Sequence, residues 1–175
     1  MQATDHNAIV NVINLYALAV DTLCFDLFDR VFTPDVQLDY YPGSRMAGLA
    51  QVKQEFLLAH EGLDASQHTV ANHQVIVDGD RANAIAYVVA RLIRNVPEGG
   101  VNYWEFGGWY DDSLVRTPAG WRIQRRACRG NWWEGNPRVA ECRPEWVFRP
   151  DVTLLRNAAK AGESEFLKAV RAQPL

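Results

Sequence analysis

The amino-acid sequence predicts an α+β fold in which N-terminal helices pack on a strongly curved antiparallel sheet with a pocket inside. Helical periodicity precedes residue 61, and four long strand-like segments follow between residues 67 and 133. Short turn signals separate those segments, and helices that precede such a meander cover one face of its sheet. Glycines at positions 107, 108 and 130 can let the strands bend, and a bent sheet covered by helices forms a cone.

The helices come first in the chain. Apolar residues recur at helical spacing from Ile9 to Val20, after Thr4, whose side chain can cap the helix. A short second helix is predicted for FDLFDRVF, residues 25–32. It ends there because Pro34 disfavours a helical conformation at the residue before it. The segment LAQVKQEFLLAH, residues 49–60, predicts a third, amphipathic helix.

The strands follow, and hairpin turns connect them. VQLDYY, residues 36–41, predicts a first strand, and YPGSRMAG after it predicts a turn with a small excursion. DGD, PEGG and TPAG are turn signals between the later strands. Those strands are predicted at residues 67–80, 81–96, 101–117 and 120–133. The C-terminal residues 144–172 have the composition of a helical extension, so we expect residues 1–175 to form a single domain.

Composition excludes several classes of protein. The chain has 175 residues, of which 48% are hydrophobic and 22% charged, as in an ordinary globular domain. The net charge of −3 and the lack of a basic run argue against nucleic-acid and membrane partners. We find no secretory signal and no apolar run near the ~18 residues of a membrane span. Three widely spaced cysteines do not indicate a disulfide framework. A cytoplasmic protein is therefore expected.

Asp21 is the first candidate for chemistry. It follows Ile13 and Ala17 at intervals of four residues, so the three share one stripe of the first helix. Two interpretations remain open: the carboxylate faces the pocket, or it lies at the surface where the helix ends. The nearby Asp26 and Asp29 flank the short second helix and are expected to face water.

His68 opens the predicted meander, and its role stays open between a structural and a catalytic histidine. Strict alternation places His68 on one face of its strand with Val70 and turns His73 to the other face. Histidines that point apart are poor ligands for one metal ion, and no other cluster has ligand spacing. The sequence also lacks a glycine-rich phosphate-binding turn. We therefore expect no metal and no cofactor.

The final strand places arginines near the pocket. If Trp121 and Ile123 face the core, strict alternation carries Arg129 and Asn131 inward, unless a bulge changes the register. A buried arginine needs an anion or a polarised oxygen. The same alternation also turns Arg125 inward, and two inward arginines are unfavourable. Arg125 therefore weakens the prediction that Arg129 faces inward.

Tryptophans are concentrated on the last two strands, in NYWEFGGWY and NWW. They either pack in the core or a subunit interface, or line a pocket for a flat, apolar ligand. The sequence pattern alone leaves both interpretations open.

Three segments together resemble the SnoaL-like branch of the nuclear transport factor 2 superfamily. They are NLYALAVDTLCFDLFDRVFTPDVQLDYY, SQHTVANHQVIVDGDRANAIAYVVA and GGWYDDSLVRTPAGWRIQRRACRGNWWEGN, in matching order across residues 5–136. The resemblance implies the cone-shaped, cystatin-like fold. It also implies a cofactor-free lyase, as in scytalone dehydratase, hexachlorocyclohexane dehydrochlorinase, bile-acid 7α-dehydratase and a lignin diarylpropane deformylase.

The resemblance also implies site residues. The catalytic set that it transfers to this chain is Asp21, His68, Tyr16, Tyr40 and Arg129. Apart from the resemblance, we expect Phe25, Trp104, Trp109, Asn131 and Trp132 to bind the substrate, because aromatic side chains hold an aromatic ligand and exclude water. One departure is that YVVARLIR has no counterpart of the second active-site histidine of scytalone dehydratase.

These observations lead to one hypothesis and two alternatives. We expect a cofactor-independent lyase that removes water, formaldehyde or a similar group from a hydrophobic, aromatic small molecule. A ketosteroid-type isomerase and a non-catalytic binding module are the alternatives. YVVARLI is apolar on both faces of its strand, so the outer side of the sheet needs a cover, and a homotrimer is favoured.

Overall fold

A computed structural model describes residues 2–41, 44–97, 99–142, 147–148 and 151–173, without the side chains of Gln2, Ala3 and Tyr41. The helices are α1 (Gln2–Asp21), α2 (Leu49–His60), α3 (Leu155–Ala161) and α4 (Glu165–Ala172), with short 3-10 helices at Phe25–Arg30 and Pro137–Ala140. The strands are β1 (Phe32–Tyr41), β2 (Ser44–Ala47), β3 (Ala65–Asp78), β4 (Arg81–Ile93), β5 (Tyr103–Thr117) and β6 (Gly120–Gly135). The turn predicted at Pro42 and Gly43 and the predicted start of the extension at residue 144 lie outside the described residues.

In the described part of the chain, six strands form one curled, unclosed sheet in the order β2-β1-β6-β5-β4-β3. All neighbouring strands are antiparallel except β1 and β6, which run parallel. The predicted sequential meander is therefore confirmed for β3 to β6, and the parallel contact brings the first strand back beside the last. The predicted small excursion after β1 contains the edge strand β2.

The sheet bends at a bulge where two glycines of β5 meet β6. A Cβ atom on Gly108 would lie 2.0 Å from the carbonyl oxygen of Arg129, and one on Gly107 would lie 2.1 Å from the Trp132 ring. No side chain fits so close to a carbonyl oxygen, so the approach of the two strands requires glycine at position 108, and Gly107 leaves room for the Trp132 ring. The pairing register shifts between these glycines, where Asn131 is the additional residue on β6.

A second bulge on β6 changes which arginine faces inward. Ser113 pairs with Arg125 whereas the next residue, Leu114, pairs with Ile123, so Gln124 is an extra residue. Because side chains alternate with period two, one extra residue exchanges the faces of all that follow. Arg126 is consequently buried on the inner face, and the prediction that Arg129 faces inward is wrong.

A bulge in β3 corrects the prediction for the histidines. Ala71 pairs with Tyr87 but Gln74 pairs with Ile85, and Asn72 has a left-handed backbone with φ of 54°. The bulge returns His73 to the inner face, which His68 also occupies. The predicted opposite orientation of these two histidines is therefore wrong.

The helices cover both faces of the sheet. The buried apolar stripe of α1 packs against the inner face, and α1 begins at Gln2, two residues before the predicted cap Thr4. On the outer face, the Asp111 carboxylate accepts hydrogen bonds from the Ser164 hydroxyl and the Phe166 amide, which fasten the start of α4 to β5. The C-terminal segment thus contains helices, as its composition predicted, and it covers part of the outer face.

None of the helices in the described part of the chain is long and apolar enough to cross a membrane.

Candidate active site

A cavity of about 390 Å³ lies between the inner face of the sheet and the helices. Its volume is within the range of small-molecule sites. Most of its wall is apolar, and the aromatic contributors are Tyr16, Tyr40, Phe56, Trp104, Phe106, Tyr110 and Phe148. Its polar or ionisable contributors are Ser44, Glu55, His60, His68 and Cys128. Such a wall suits a flat, hydrophobic ligand that also carries a few polar groups.

Asp21 and His68 meet at the edge of this cavity. The stripe of α1 that buries Ile13 and Ala17 ends in Asp21, so the helix directs this carboxylate toward β3. Asp21 Oδ1 lies 2.6 Å from His68 Nδ1 and 2.9 Å from the Ser66 hydroxyl, and Oδ2 lies 2.7 Å from the backbone nitrogen of His68. Asp21 therefore points from the end of α1 toward β3, although its side chain is not part of the cavity wall.

The hydrogen bonds determine the ionisation of Asp21 and the tautomer of His68. Burial of the carboxyl disfavours its charge, but the bonds from the His68 ring and backbone and from Ser66 outweigh burial and hold the pKa of Asp21 below its ordinary value. An ionised carboxylate only accepts, so Nδ1 of His68 carries the proton. Nε2 is then the basic nitrogen of a ring that lines the cavity.

Tyr16 and Tyr40 form the second polar group of the cavity. Their hydroxyl oxygens are 2.9 Å apart, although the residues come from α1 and β1. Burial raises the pKa of both phenols well above the ordinary value, so both remain protonated. Because the Tyr40 hydroxyl donates to Tyr16, the proton left for a ligand is the one on Tyr16, which also interacts with the neighbouring Tyr110 hydroxyl.

A buried ion pair supports these tyrosines. The Arg126 guanidinium donates two hydrogen bonds of 2.7 and 2.8 Å to the Asp112 carboxylate. Its central carbon lies 4.3 Å from the Tyr16 ring centroid and 4.1 Å from that of Tyr110, so the cation is held between two aromatic faces. Burial disfavours the charge, but Asp112 outweighs it and keeps the pKa of Arg126 above its ordinary value.

The predicted substrate-binding residues separate into two groups. Trp104 lines the cavity, and Phe25 lies behind its wall, edge-on to the rings of Phe56 and His60. Trp109 is buried on the outer face of β5, and Trp132 is 44% exposed. These two tryptophans do not line the cavity: Trp109 alternates with Tyr110, which does, and Trp132 pairs with Gly107 on the outer face.

Arg129 and Asn131 also lie outside the cavity. The Arg129 guanidinium lies 3.1 Å from the Asp39 carboxylate and donates to the Asp39 carbonyl oxygen, which fastens β6 to β1. The Asn131 side-chain oxygen accepts a hydrogen bond of 2.9 Å from the Leu155 amide at the start of α3. Both side chains therefore connect β6 to other elements of the fold, Arg129 to β1 and Asn131 to α3.

His60, the last residue of α2, lines the cavity, although no role was predicted for it. Val52, Phe56 and His60 follow one another at intervals of four residues, so they share the buried stripe of α2. That spacing was a signal that could have identified the residue. Arg126 and Cys128 were also missed, because a bulge decides which face of β6 points inward. Tyr110 and Asp112 lie on β5 at even spacing from Trp104, and that alternation could have identified them. Burial raises the pKa of Cys128 to about 12, so its thiol stays protonated.

Within the described ranges, we find no group of three or more His, Cys, Asp and Glu side chains arranged to hold a metal ion.

Comparison with known proteins places this fold and cavity in a family. The SnoaL-like domain family matches residues 1–127, well over half of the sequence. The chain belongs to the SnoaL-like family. An uncharacterised protein of Mycobacterium tuberculosis strain H37Rv is 37% identical over 112 residues, which cover 63% of this chain and 75% of the relative.

Solved structures share the fold of this SnoaL-like protein. A Kribbella flavida protein has a TM-score of 0.75 at 28% identity, over 81% of this chain and 99% of its own. A Novosphingobium aromaticivorans protein, provisionally named a scytalone dehydratase, has a TM-score of 0.71 at 19% identity, over 89% of this chain and 96% of its own. Two further solved proteins are described as NTF2-like, one with a cystatin-like fold. The predicted fold is confirmed.

Proposed function

We propose that this protein is a cofactor-independent lyase that eliminates water, formaldehyde or a similar group from a hydrophobic, aromatic small molecule. The observation that carries the proposal is the 2.6 Å contact between Asp21 Oδ1 and His68 Nδ1 at the wall of an aromatic cavity. A carboxylate that fixes the tautomer of an imidazole leaves Nε2 as a positioned general base. A dry apolar wall favours proton transfer to that base over exchange with water.

The proposed reaction begins with His68 as the base. For the loss of water, Nε2 takes a proton from the carbon next to the one that bears the leaving hydroxyl. The electrons of the broken C–H bond form the new C=C bond, and the C–O bond breaks. The leaving oxygen takes a proton from the Tyr16–Tyr40 pair and departs as water. The proton on His68 is then returned to the tyrosines through solvent.

Arg126 takes the place of Arg129, the arginine of the catalytic set that the resemblance implied. Its charge, 4.3 Å from the Tyr16 ring centroid, favours the negative charge that forms on the tyrosine oxygen during proton donation. Arg126 acts through the tyrosines and is therefore a positioning residue. A lyase role also agrees with the solved neighbour that is provisionally named a scytalone dehydratase.

The test is turnover of a panel of hydroxylated aromatic compounds, followed by mass spectrometry. Product lighter than substrate by water or formaldehyde supports the lyase. A product of unchanged mass identifies a ketosteroid-type isomerase, which would use the same base without a leaving group. Tight binding with no turnover of any compound identifies a binding module.

Turnover is expected to persist after dialysis against a chelator, with no nucleotide or flavin added. The proposed base and proton donors are all protein side chains, so the reaction requires no Lewis acid. Initial rates before and after dialysis against EDTA provide the measurement. Loss of the activity, followed by recovery with one divalent ion, would require a different mechanism.

A homotrimer is the proposed assembly. On the outer face of β4, Tyr87 is 47% and Val89 is 37% exposed, beside Trp132 at 44%. An apolar patch of this kind is expected to be covered by another protein surface. Light scattering at micromolar concentration should give three times the mass of one chain, and Tyr87→Glu should lower it. A monomeric wild-type protein would contradict this prediction.

A further inference from the structure

We propose that His60 recognises the substrate in this cavity by accepting a hydrogen bond from a hydroxyl group of the substrate. The inference rests on the proposed function because it concerns the same cavity. It adds the class of substrate, which is a hydroxylated aromatic compound whose hydroxyl proton is available to an acceptor. It also adds a residue that no part of the proposed elimination uses.

The hydrogen bond made by His60 fixes its tautomer. His60 Nδ1 lies 2.8 Å from the backbone carbonyl oxygen of Phe56, one turn earlier in α2. A carbonyl oxygen can only accept, so Nδ1 carries the proton and Nε2 bears a lone pair. The opposite tautomer would place two acceptors against each other. Nε2 is consequently an acceptor and has no proton to donate.

Packing holds the His60 ring in place. The ring stacks on Phe56 with centroids 5.6 Å apart and an angle of 6° between the planes, and Phe25 meets it edge-on. Apolar neighbours also keep the ring neutral, since burial lowers the pKa of His60 to about 4. A neutral, immobile acceptor in an apolar wall selects for a ligand that brings its own donor, because an unsatisfied buried acceptor is costly.

His60 lies close enough to His68 to act on the same ligand. Their ring centroids are 6.5 Å apart, and a hydrogen bond spans ~2.7–3.2 Å between heavy atoms. One substrate can therefore contact both rings from within the cavity. The two imidazoles have different neighbours: Asp21 faces Nδ1 of His68, whereas a carbonyl faces Nδ1 of His60. The carboxylate favours a base at His68, and the neutral partner favours an acceptor at His60.

The test compares two ligands that differ in one substituent, a hydroxyl group whose proton is replaced by a methyl group in the second. Calorimetric titration at pH 6.5 with 4-hydroxyacetophenone and 4-methoxyacetophenone should show tighter binding of the phenol to the wild-type protein. His60→Phe keeps a ring on Phe56 but removes the acceptor. It should weaken binding of the phenol about tenfold and leave binding of the ether unchanged. His60→Gln keeps an acceptor near Nε2 and should retain most of the preference.

The matched control is a substitution on the exposed side of α2. Leu57→Gln changes a residue of α2 that is 42% exposed and should leave both dissociation constants unchanged. Equal binding of the two ligands by the wild-type protein, or an unchanged preference in His60→Phe, would overturn the proposal. Binding is measured without turnover, so an inactive protein that retains the His60-dependent preference would contradict the lyase and support the recognition site.

Discussion

Replacing His68 by glutamine is expected to lower kcat by about 10²–10⁴-fold, the usual contribution of a positioned acid–base group. Glutamine can still bond with Asp21 but provides no basic nitrogen at the position of Nε2. The loss should therefore appear in kcat, while the fold, followed by far- and near-ultraviolet circular dichroism, stays intact. A folded His68→Gln protein with wild-type turnover would remove His68 from the mechanism.

Asp21→Asn tests the same contact between Asp21 and His68 by changing the carboxylate. The amide can donate to His68 Nδ1, which would move the imidazole proton to Nε2 and leave no base toward the cavity. We expect a loss of kcat of the same order, about 10²–10⁴-fold. His73→Gln is the matched control, since His73 shares the inner face of β3 with His68 but does not line the cavity. A loss in His73→Gln equal to that in His68→Gln would indicate damage to the strand.

The regular elements could be predicted because helical spacing marks the helices and turn signals mark the ends of the strands. The predicted helix at residues 49–60 matches α2, and the four predicted strands of the meander correspond to β3 to β6. Asp21 could be placed for the same reason, because a helical stripe extends without interruption to the last residue of α1. An unbroken period allows the direction of a side chain to be calculated from its position alone.

The inner face of β6 could not be predicted, because bulges depend on contacts between strands. Gln124 and Asn131 are each one residue more than the partner strand accommodates, and each exchanges the faces of the residues after it. The sequence nevertheless contained a sign of the first bulge. Strict alternation would have buried both Arg125 and Arg129, and the shift instead buries Arg126 beside Asp112.

Loss of this buried ion pair is expected to lower the stability of the protein. Arg126→Met is expected to reduce the free energy of unfolding by about 3–5 kcal/mol, because Asp112 would keep a buried charge without its partner. The side chains of Arg126 and Asp112 are 0% and 1% exposed, so water cannot replace the lost bonds. Urea denaturation at neutral pH gives the measurement. A stability within about 1 kcal/mol of the wild type would contradict the charge-pair account.

Two controls separate the unpaired charge from the loss of packing. The double variant Arg126→Met with Asp112→Leu removes both charges and should recover most of the lost stability, because well-packed apolar residues can replace a buried ion pair. Lys168→Met breaks an ion pair whose side chains are 51% and 43% exposed, and it should change stability by less than about 1 kcal/mol. If the double variant stays as unstable as Arg126→Met, the contacts of the guanidinium with Tyr16 and Tyr110 are the main source of stability. The recovered double variant should still turn over substrate slowly, since neither methionine nor leucine can favour negative charge on the tyrosine oxygens.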